Sequence, residues 1–290
     1  MSQSFQRDIG RVLVVGGSGR LGQLLRRAWA HLGQDGLIWQ HRREGPMIFD
    51  PLHEPEKFTA AATGADTILN LAGVTGSDRS ALALNTDLAL AAVRAAKAAS
   101  VKRVFLASSA AVYGSTLSGR EDDVLDPASA YGMAKLAMER AVLQQVMIAG
   151  GPAVTSLRIG NVAGADQLLG IGVGVGDEPQ RLHVFKKGHG PARSYCGPLE
   201  MARQLAALFA AAKIGQDIPP VLNLSLDGTV RMEALLEADG RPWVGVRAPE
   251  SLAPVVRLDV TLLRTLTPVG DADAHGIVRD LRTVQPAAGR

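Results

Sequence analysis

The chain has 290 residues, 47% of them hydrophobic, enough for one large α/β domain or for such a domain with a smaller lobe. Its net charge of +3 is small and its basic residues are scattered, which argues against a nucleic-acid surface. A single cysteine, Cys196, excludes an intrachain disulfide, and no apolar run reaches the length of a membrane span.

Residues 1–11 are polar and lack the apolar core of a signal peptide, so the expectation is a soluble cytoplasmic protein without membrane contact. The six histidines show no metal-ligand spacing with one another or with Cys196, and no metal is expected.

The first predicted element is a strand over 12–15. Val12, Leu13, Val14 and Val15 are apolar without a break, as in a buried parallel strand. Glycines 16, 19 and 22 follow at once in G-x-x-G-x-x-G spacing, and a helix is predicted over 20–32 with Gly33 as its C-cap. A strand, a glycine turn and a helix form a candidate dinucleotide site. The missing side chains let the backbone approach a pyrophosphate, whose charge meets free N–H groups at the helix start. The candidate cofactor residues here are Gly16, Gly19, Arg20, Leu21 and Gly22.

A short strand over 36–40 ends in Gln40-His41-Arg42-Arg43. An NAD site usually places Asp or Glu there to accept hydrogen bonds from the ribose 2′-OH. Arg42 and Arg43 suit a 2′-phosphate instead, so NADP is favoured, with NAD as the alternative and a solvated basic loop as the plain one. Residues 47–51 read as a third strand and its exit. Asp50, beside Pro51, either contacts the adenine amino group or caps the next helix. The fourth strand runs over 67–73 and ends in Leu71, Ala72 and Gly73, where a ligand can press close. An Ala/Leu-rich helix over 79–99 has few charges. Its apolar surface, with that of the helical segment near 128–149, suggests a homodimer interface. With a fifth strand over 104–107, the alternation implies a parallel, doubly wound Rossmann sheet.

Ala107-Ser108-Ser109-Ala110-Ala111-Val112-Tyr113-Gly114 ends the fifth strand, and Tyr131-Gly132-Met133-Ala134-Lys135 follows it. Tyr131 and Lys135 are four apart and share one helix face. A phenol is a poor base at neutral pH, but a neighbouring ammonium favours its phenolate and makes it a proton relay. A serine hydroxyl beside it can hold a substrate oxygen while hydride moves at the adjacent carbon.

These residues, with Asn70-Leu71-Ala72-Gly73, Leu157-Arg158-Ile159-Gly160-Asn161 and Arg193-Ser194-Tyr195, resemble the extended short-chain dehydrogenases/reductases, in the NAD-dependent epimerase/dehydratase branch that includes UDP-galactose 4-epimerase. The resemblance is specific through about residue 165. It implies Ser109 as the catalytic hydroxyl, Tyr131 as acid/base, and Lys135 as the residue that lowers its pKa and holds the nicotinamide ribose. Asn85 would be the fourth member of the family's tetrad, or else a surface polar residue. Asn161 and Arg193 fall where sugar-nucleotide members contact the substrate diphosphate. Related 4,6-dehydratases place an Asp-Glu pair directly after the strand-5 hydroxyl, where this chain has Ala110 and Ala111.

The implied organisation is a dinucleotide-binding domain over 1–165 and a small C-terminal substrate lobe over 166–290, interleaved with returning Rossmann elements. A sixth strand is expected over 154–159, helices over 198–212 and 229–238, and a strand over 221–224. The proline-marked tail reads as loop and short elements. The glycine alternation over 169–176 reads as a mobile stretch where sugar-nucleotide members often carry a nucleotide-contacting helix. The implied activity is an NAD(P)-dependent oxidoreductase or epimerase acting on a small-molecule substrate, a nucleotide sugar. A reductase of a small carbonyl compound and a catalytically silent cofactor-binding regulator are the alternatives.

Overall fold

The computed structural model describes residues 6–170 and 178–285, so the reading of 169–176 falls, from residue 171 on, outside the described residues. The first half of the chain runs β1 (Val12–Val15), α1 (Arg20–Leu32), β2 (Leu37–His41), β3 (Met47–Ile48), α2 (Pro55–Ala62), β4 (Thr67–Asn70), α3 (Arg79–Ala98), β5 (Arg103–Ser109), a 3₁₀ turn (Ala110–Tyr113), β6 (Ser118–Gly119) and α4 (Ala130–Ala149). It continues with β7 (Ala153–Ile159), β8 (Asn161–Val162), β9 (Gln180–Val184), β10 (Ala192–Arg193), β11 (Tyr195–Cys196), α5 (Pro198–Lys213), β12 (Val221–Leu224), β13 (Val230–Arg231), α6 (Met232–Asp239), β14 (Trp243–Arg247), β15 (Val255–Leu258), α7 (Thr261–Arg264) and α8 (Ala274–Val284).

Seven strands form one parallel sheet in the order β12-β7-β5-β4-β1-β2-β3. The alternating side-chain directions of β1 explain why both faces are covered. Val12 and Val14 join Leu24 and Trp29 of α1, Phe209 of α5 and Leu281 of α8 on one face. Leu13 and Val15 join Phe58 of α2, Ala89 and Val93 of α3, and Met138 and Val142 of α4 on the other. The chain winds outward from β1 to β3, then returns to β4 and winds the opposite way. This reversal opens a crevice at the carboxyl ends of β1 and β4. β6 and β8 follow the carboxyl ends of β5 and β7, so the four-stranded sheet β13-β10-β15-β6 and the pair β11-β8 start from that same sheet edge. Among the described residues, no helix is long and apolar enough to cross a membrane.

Three expectations are corrected. The third strand is only two residues long, and the chain after Asp50-Pro51 turns into α2, which short apolar spacing did not reveal. The helix expected from 229 starts at Met232, because Val230 and Arg231 pair with β10. The tail holds the short elements expected, β14, β15 and α7, but also an eleven-residue helix, α8, whose Ile277, Val278, Leu281 and Val284 are buried at helical spacing. The Asp273 side chain caps α8 by accepting from the Gly276 N–H at 2.6 Å. Asp280 of α8 accepts from the Leu199 and Glu200 N–H groups at 2.8 and 3.1 Å, capping α5, whose own N-cap, Gly197, has no side chain to do so.

Candidate active site

The β1–α1 turn and the exits of β2, β3 and β4 enclose a cleft of about 870 Å³. Gly16, Gly17, Ser18 and Gly19 line one wall, Asp50, Pro51, Leu52 and His53 another, and Leu71, Ala72, Gly73 and Val74 a third. Gly16 sits at φ +91, which L side chains rarely adopt, and a Cβ on Gly22 would stand 2.4 Å from the Gly16 carbonyl oxygen. Gly22 thus serves the close packing of α1 on the turn. It does not line the cleft, and neither does Arg20 or Leu21. The first-turn N–H groups of α1 have no intrahelical acceptors and lie at this edge.

Gln40 is buried. Its side-chain oxygen accepts from the Gly16 N–H at 2.9 Å, and its amide nitrogen donates to the Phe49 carbonyl at 2.6 Å. The position that would carry the NAD-type acid therefore ties the glycine turn to β3 through a neutral side chain. Arg42 and Arg43 line the cleft and are exposed. Asp50 lines it too, and its carboxylate accepts from the N–H groups of Leu52 and His53 at 2.9 and 3.3 Å. The bond to Leu52 leads the effects that hold its pKa below the usual carboxylate range. Helix α2 starts later, at Pro55, so Asp50 is not its cap.

Beside the β4 exit, where Gly73 lines the cleft, the structure brings the chemical residues together, though Ser109, Tyr131, Lys135 and Asn85 do not themselves line it. Ser109 ends β5 and Tyr131 opens α4, and their side chains share a hydrogen bond. Lys135 is buried on the same face of α4 and donates to the Ala107 carbonyl at 2.8 Å. A Cβ on Gly73 would lie 3.3 Å from the Lys135 Nζ and 2.8 Å from the Asn85 Oδ1, so only glycine lets the β4 exit pass this close. The Asn85 side chain is buried. It accepts from the Val74 N–H at 3.1 Å and donates to the Val74 and Leu82 carbonyls at 3.0 and 2.9 Å, clamping the loop after β4.

The electrostatics differ from the sequence expectation. Burial pushes the Tyr131 phenol above its ordinary pKa, with the Ser109 hydrogen bond pulling the other way. The Lys135 Nζ lies 5.7 Å from the Tyr131 ring centroid and is bonded to a carbonyl, so in the free chain desolvation outweighs its pull on the phenol. Burial pushes Lys135 itself down to about 8, with Glu139 opposing.

An ordinary lysine titrates near 10.5, so below pH 8 the folded state holds an ammonium at a cost, and that cost is released as pH rises from 8 to 10.5. Lys135→Met is therefore expected to stabilise the free protein by about 1–3 kcal/mol at pH 7, a gain that fades toward pH 10. Thermal melts across that range check it. A variant no more stable than the wild type at pH 7 would contradict the cost assigned to Lys135.

Behind Lys135 lies a buried polar network the sequence did not reveal. The Arg158 Nη2 donates to the Glu139 carboxylate at 2.9 Å, and the Ser108 hydroxyl donates to the same carboxylate. The Arg158 Nη1 donates to the Tyr113 hydroxyl at 3.0 Å, which donates in turn to the Asn223 Oδ1 at 2.7 Å. These five residues come from β5, the 3₁₀ turn, α4, β7 and β12, so only the folded sheet assembles them.

Asn161 begins β8, and its N–H donates at 2.9 Å to the carbonyl of Ser194, the residue after Arg193. The Arg193 guanidinium is engaged, donating to the Ala192 and Ala253 carbonyls at 2.8 Å each and more distantly to Pro254. Also missed were Arg26, Arg27 and His41, all of which line the cleft. A signal existed for the arginines, since Gln23, Arg26 and Arg27 fall at i, i+3 and i+4 on one face of α1 and all line the cleft.

The family model described as NAD dependent epimerase/dehydratase family matches residues 12–173. A curated relative from Kitasatospora kifunensis, dTDP-6-deoxy-L-talose 4-dehydrogenase (NAD(P)(+)), is 30% identical over 317 aligned residues, covering 96% of this chain and 96% of its own length. Among solved structures, MoeE5 in complex with UDP-glucuronic acid and NAD is similar at a TM-score of 0.75 and 21% identity, covering 94% of this chain and 98% of its own. The UDP-glucose-4-epimerase from Stenotrophomonas maltophila is similar at a TM-score of 0.76 and 19% identity, covering 94% and 96%. Those two share the fold of this chain. The family match spans more than half the sequence and the relative spans nearly all of it, and on both counts the chain belongs to the NAD-dependent epimerase/dehydratase family, as an NAD(P)-dependent enzyme of the extended short-chain dehydrogenase/reductase type.

Proposed function

We propose that the protein is a cytoplasmic NADP(H)-dependent oxidoreductase that interconverts a carbinol and a ketone on the sugar of a nucleotide-linked sugar. The observation that carries the chemistry is the Ser109–Tyr131 pair, with buried Lys135 packed against Gly73 where the β4 exit lines the cleft. The Kitasatospora relative, by its name a dehydrogenase of a dTDP-linked deoxysugar, supports the substrate class.

The residues fit a dinucleotide: a glycine turn at a helix start, a cleft of about 870 Å³, and two buried polar atoms on cleft-lining residues, the Arg27 Nη1 and the His41 Nε2, without protein partners. Gly16, Gly19 and the β4 exit would hold its backbone, and Arg42 and Arg43 a 2′-phosphate. When bound, the dinucleotide supplies or accepts the hydride. Ser109 holds the substrate oxygen, and Tyr131 gives that oxygen a proton as a ketone is reduced or removes it as an alcohol is oxidised. Burial keeps the free phenol protonated at neutral pH, the form needed for reduction. Lys135, fixed on the same helix face, keeps positive charge beside the pair.

A reductase of a small carbonyl compound is the second reading, favoured by the engagement of Arg193 with three backbone carbonyls rather than a free cleft. One assay separates them. NADPH and NADH are tested with nucleotide-linked keto sugars and with phosphate-free ketones. NADPH consumption with a nucleotide-linked keto sugar, at least about tenfold faster at limiting cofactor than with NADH, is expected from a charge-assisted phosphate contact. Turnover of phosphate-free ketones alone would favour the second reading. No 4-keto-6-deoxy product is expected from nucleotide hexoses, because Ala110 and Ala111 can carry no proton.

We also propose a homodimer through α3 and α4. The two helices pack on one another, and Leu143, Met147 and Ile148 of α4 are 55%, 76% and 78% exposed. Light scattering is expected to give twice the chain mass, and Met147→Glu with Ile148→Glu to halve it. A monomeric wild type would contradict the dimer.

A further inference from the structure

Two polar atoms in the cleft are buried without a hydrogen-bond partner: the Nη1 of Arg27 on α1 and the Nε2 of His41 at the end of β2. A buried donor left unpaired is costly to the fold, and a ligand acceptor removes that cost. His41 is 4% exposed, and its ring fills a slot. A Cβ on Gly45, at φ +144, would stand 2.4 Å from the ring Cδ2 and 3.0 Å from the Nε2, so Gly45 keeps the slot open. On the other side, a Cβ on Gly17 of the glycine turn would lie 3.5 Å from the ring Cε1. The ring is thus fixed between the turn and the loop after β2. It also forms, with Arg26, a wall shared with an adjoining cavity floored by Trp29 and Trp39.

The charge around this end is one-sided. Arg26, Arg27, Arg42 and Arg43 line the cleft, and among the described residues no carboxylate forms an ion pair with any of them. The acids nearby are Glu44 and Asp50, and the Asp50 carboxylate is already engaged by the Leu52 and His53 N–H groups. A neutral ribose hydroxyl would leave these cations unmatched, whereas a dianionic phosphate would match them.

We propose that Arg27 and His41 form the inner wall of a 2′-phosphate pocket, donating from Nη1 and Nε2 to phosphate oxygens while Arg42 and Arg43 close it from outside. The inference rests on the NADP(H) reading above and adds to it two discriminating residues from elements that flank the glycine turn. Because α1 packs on the sheet and β2 belongs to it, the backbone of both residues is fixed and only their side chains turn to meet the ligand. Arg42 and Arg43, on an exposed loop, must be ordered by it.

The test measures dissociation constants of NADPH and NADH on the full chain, with 2′,5′-ADP and 5′-AMP as probes that lack the nicotinamide. Arg27→Met keeps the side chain's apolar stem, and His41→Phe keeps the ring. Each is expected to weaken NADPH and 2′,5′-ADP by about tenfold while NADH and 5′-AMP change less than about twofold, which also shows the cleft intact. Arg27→Lys is expected to recover part of the loss, since it restores charge without the planar fork. If wild type binds NADPH no tighter than NADH, the NADP(H) reading fails and the pocket with it. If wild type prefers NADPH, Arg42→Ala with Arg43→Ala removes the preference, and Arg27→Met and His41→Phe retain it, the inner wall is overturned and the NADP(H) reading stands. Equal weakening of all four ligands would make Arg27 and His41 supports of the turn, and would also overturn the proposal.

Discussion

Replacing Tyr131 by Phe is expected to lower kcat by about 10²–10⁴-fold, the usual contribution of a positioned acid/base, while NADPH affinity changes little. The phenol ring keeps its place at the start of α4, and Lys135 keeps its bond to the Ala107 carbonyl, because neither depends on the hydroxyl. What is lost is the one group hydrogen-bonded to Ser109 that can move a proton to the substrate oxygen. Steady-state kinetics with a fluorescence titration of NADPH separates the two effects. A variant that keeps more than roughly a tenth of wild-type kcat would assign the proton transfer to another group.

The second large effect is on stability. Glu139→Ala leaves the Arg158 guanidinium buried, with the Tyr113 hydroxyl and the Glu121 carbonyl as its remaining partners. Removing one member of a buried ion pair typically costs ~3–5 kcal/mol, a large share of the ~5–15 kcal/mol that holds a domain folded. The Arg158 and Glu139 side chains are 4% and 7% exposed, so water offers little compensation. Urea denaturation should show the unfolding free energy fall by that amount, with the midpoint moving to lower urea. Glu139→Gln, which keeps hydrogen-bond acceptance toward Arg158, should lose less. A loss below about 1 kcal/mol for Glu139→Ala would mean that the pair is not holding β7 against α4.

Much of this site is written locally in the chain. The strand at 12–15, the glycine turn and the helix after it follow one another directly, so apolar run, Gly spacing and C-cap each speak for the next element. Ser109 and Tyr131 could be read because a strand end and a helix face each carry a short pattern. The parts that could not be read depend on packing between distant segments. Arg158 and Glu139 meet only because β5 and β7 pair in register, from Arg103 opposite Ala153 to Ser109 opposite Ile159. His41 looks like one more polar residue at a strand end until Gly17 and Gly45 are seen to enclose its ring. Helix α8 was hidden by the prolines around it, although Ile277, Val278, Leu281 and Val284 have the spacing of a buried helix face. The rise in the Tyr131 pKa was also out of reach, since spacing places Lys135 on the same face but says nothing of how deeply both are buried.

Direct hydride exchange between NADP(H) and a sugar carbon, under the control of Tyr131, is tested most directly with NADPH deuterated at its transferable position and a nucleotide-linked keto sugar. The expected product is the alcohol with one deuterium on the former carbonyl carbon, formed by wild type and all but absent with Tyr131→Phe. An alcohol without deuterium, or equal label incorporation by the variant, would contradict the account.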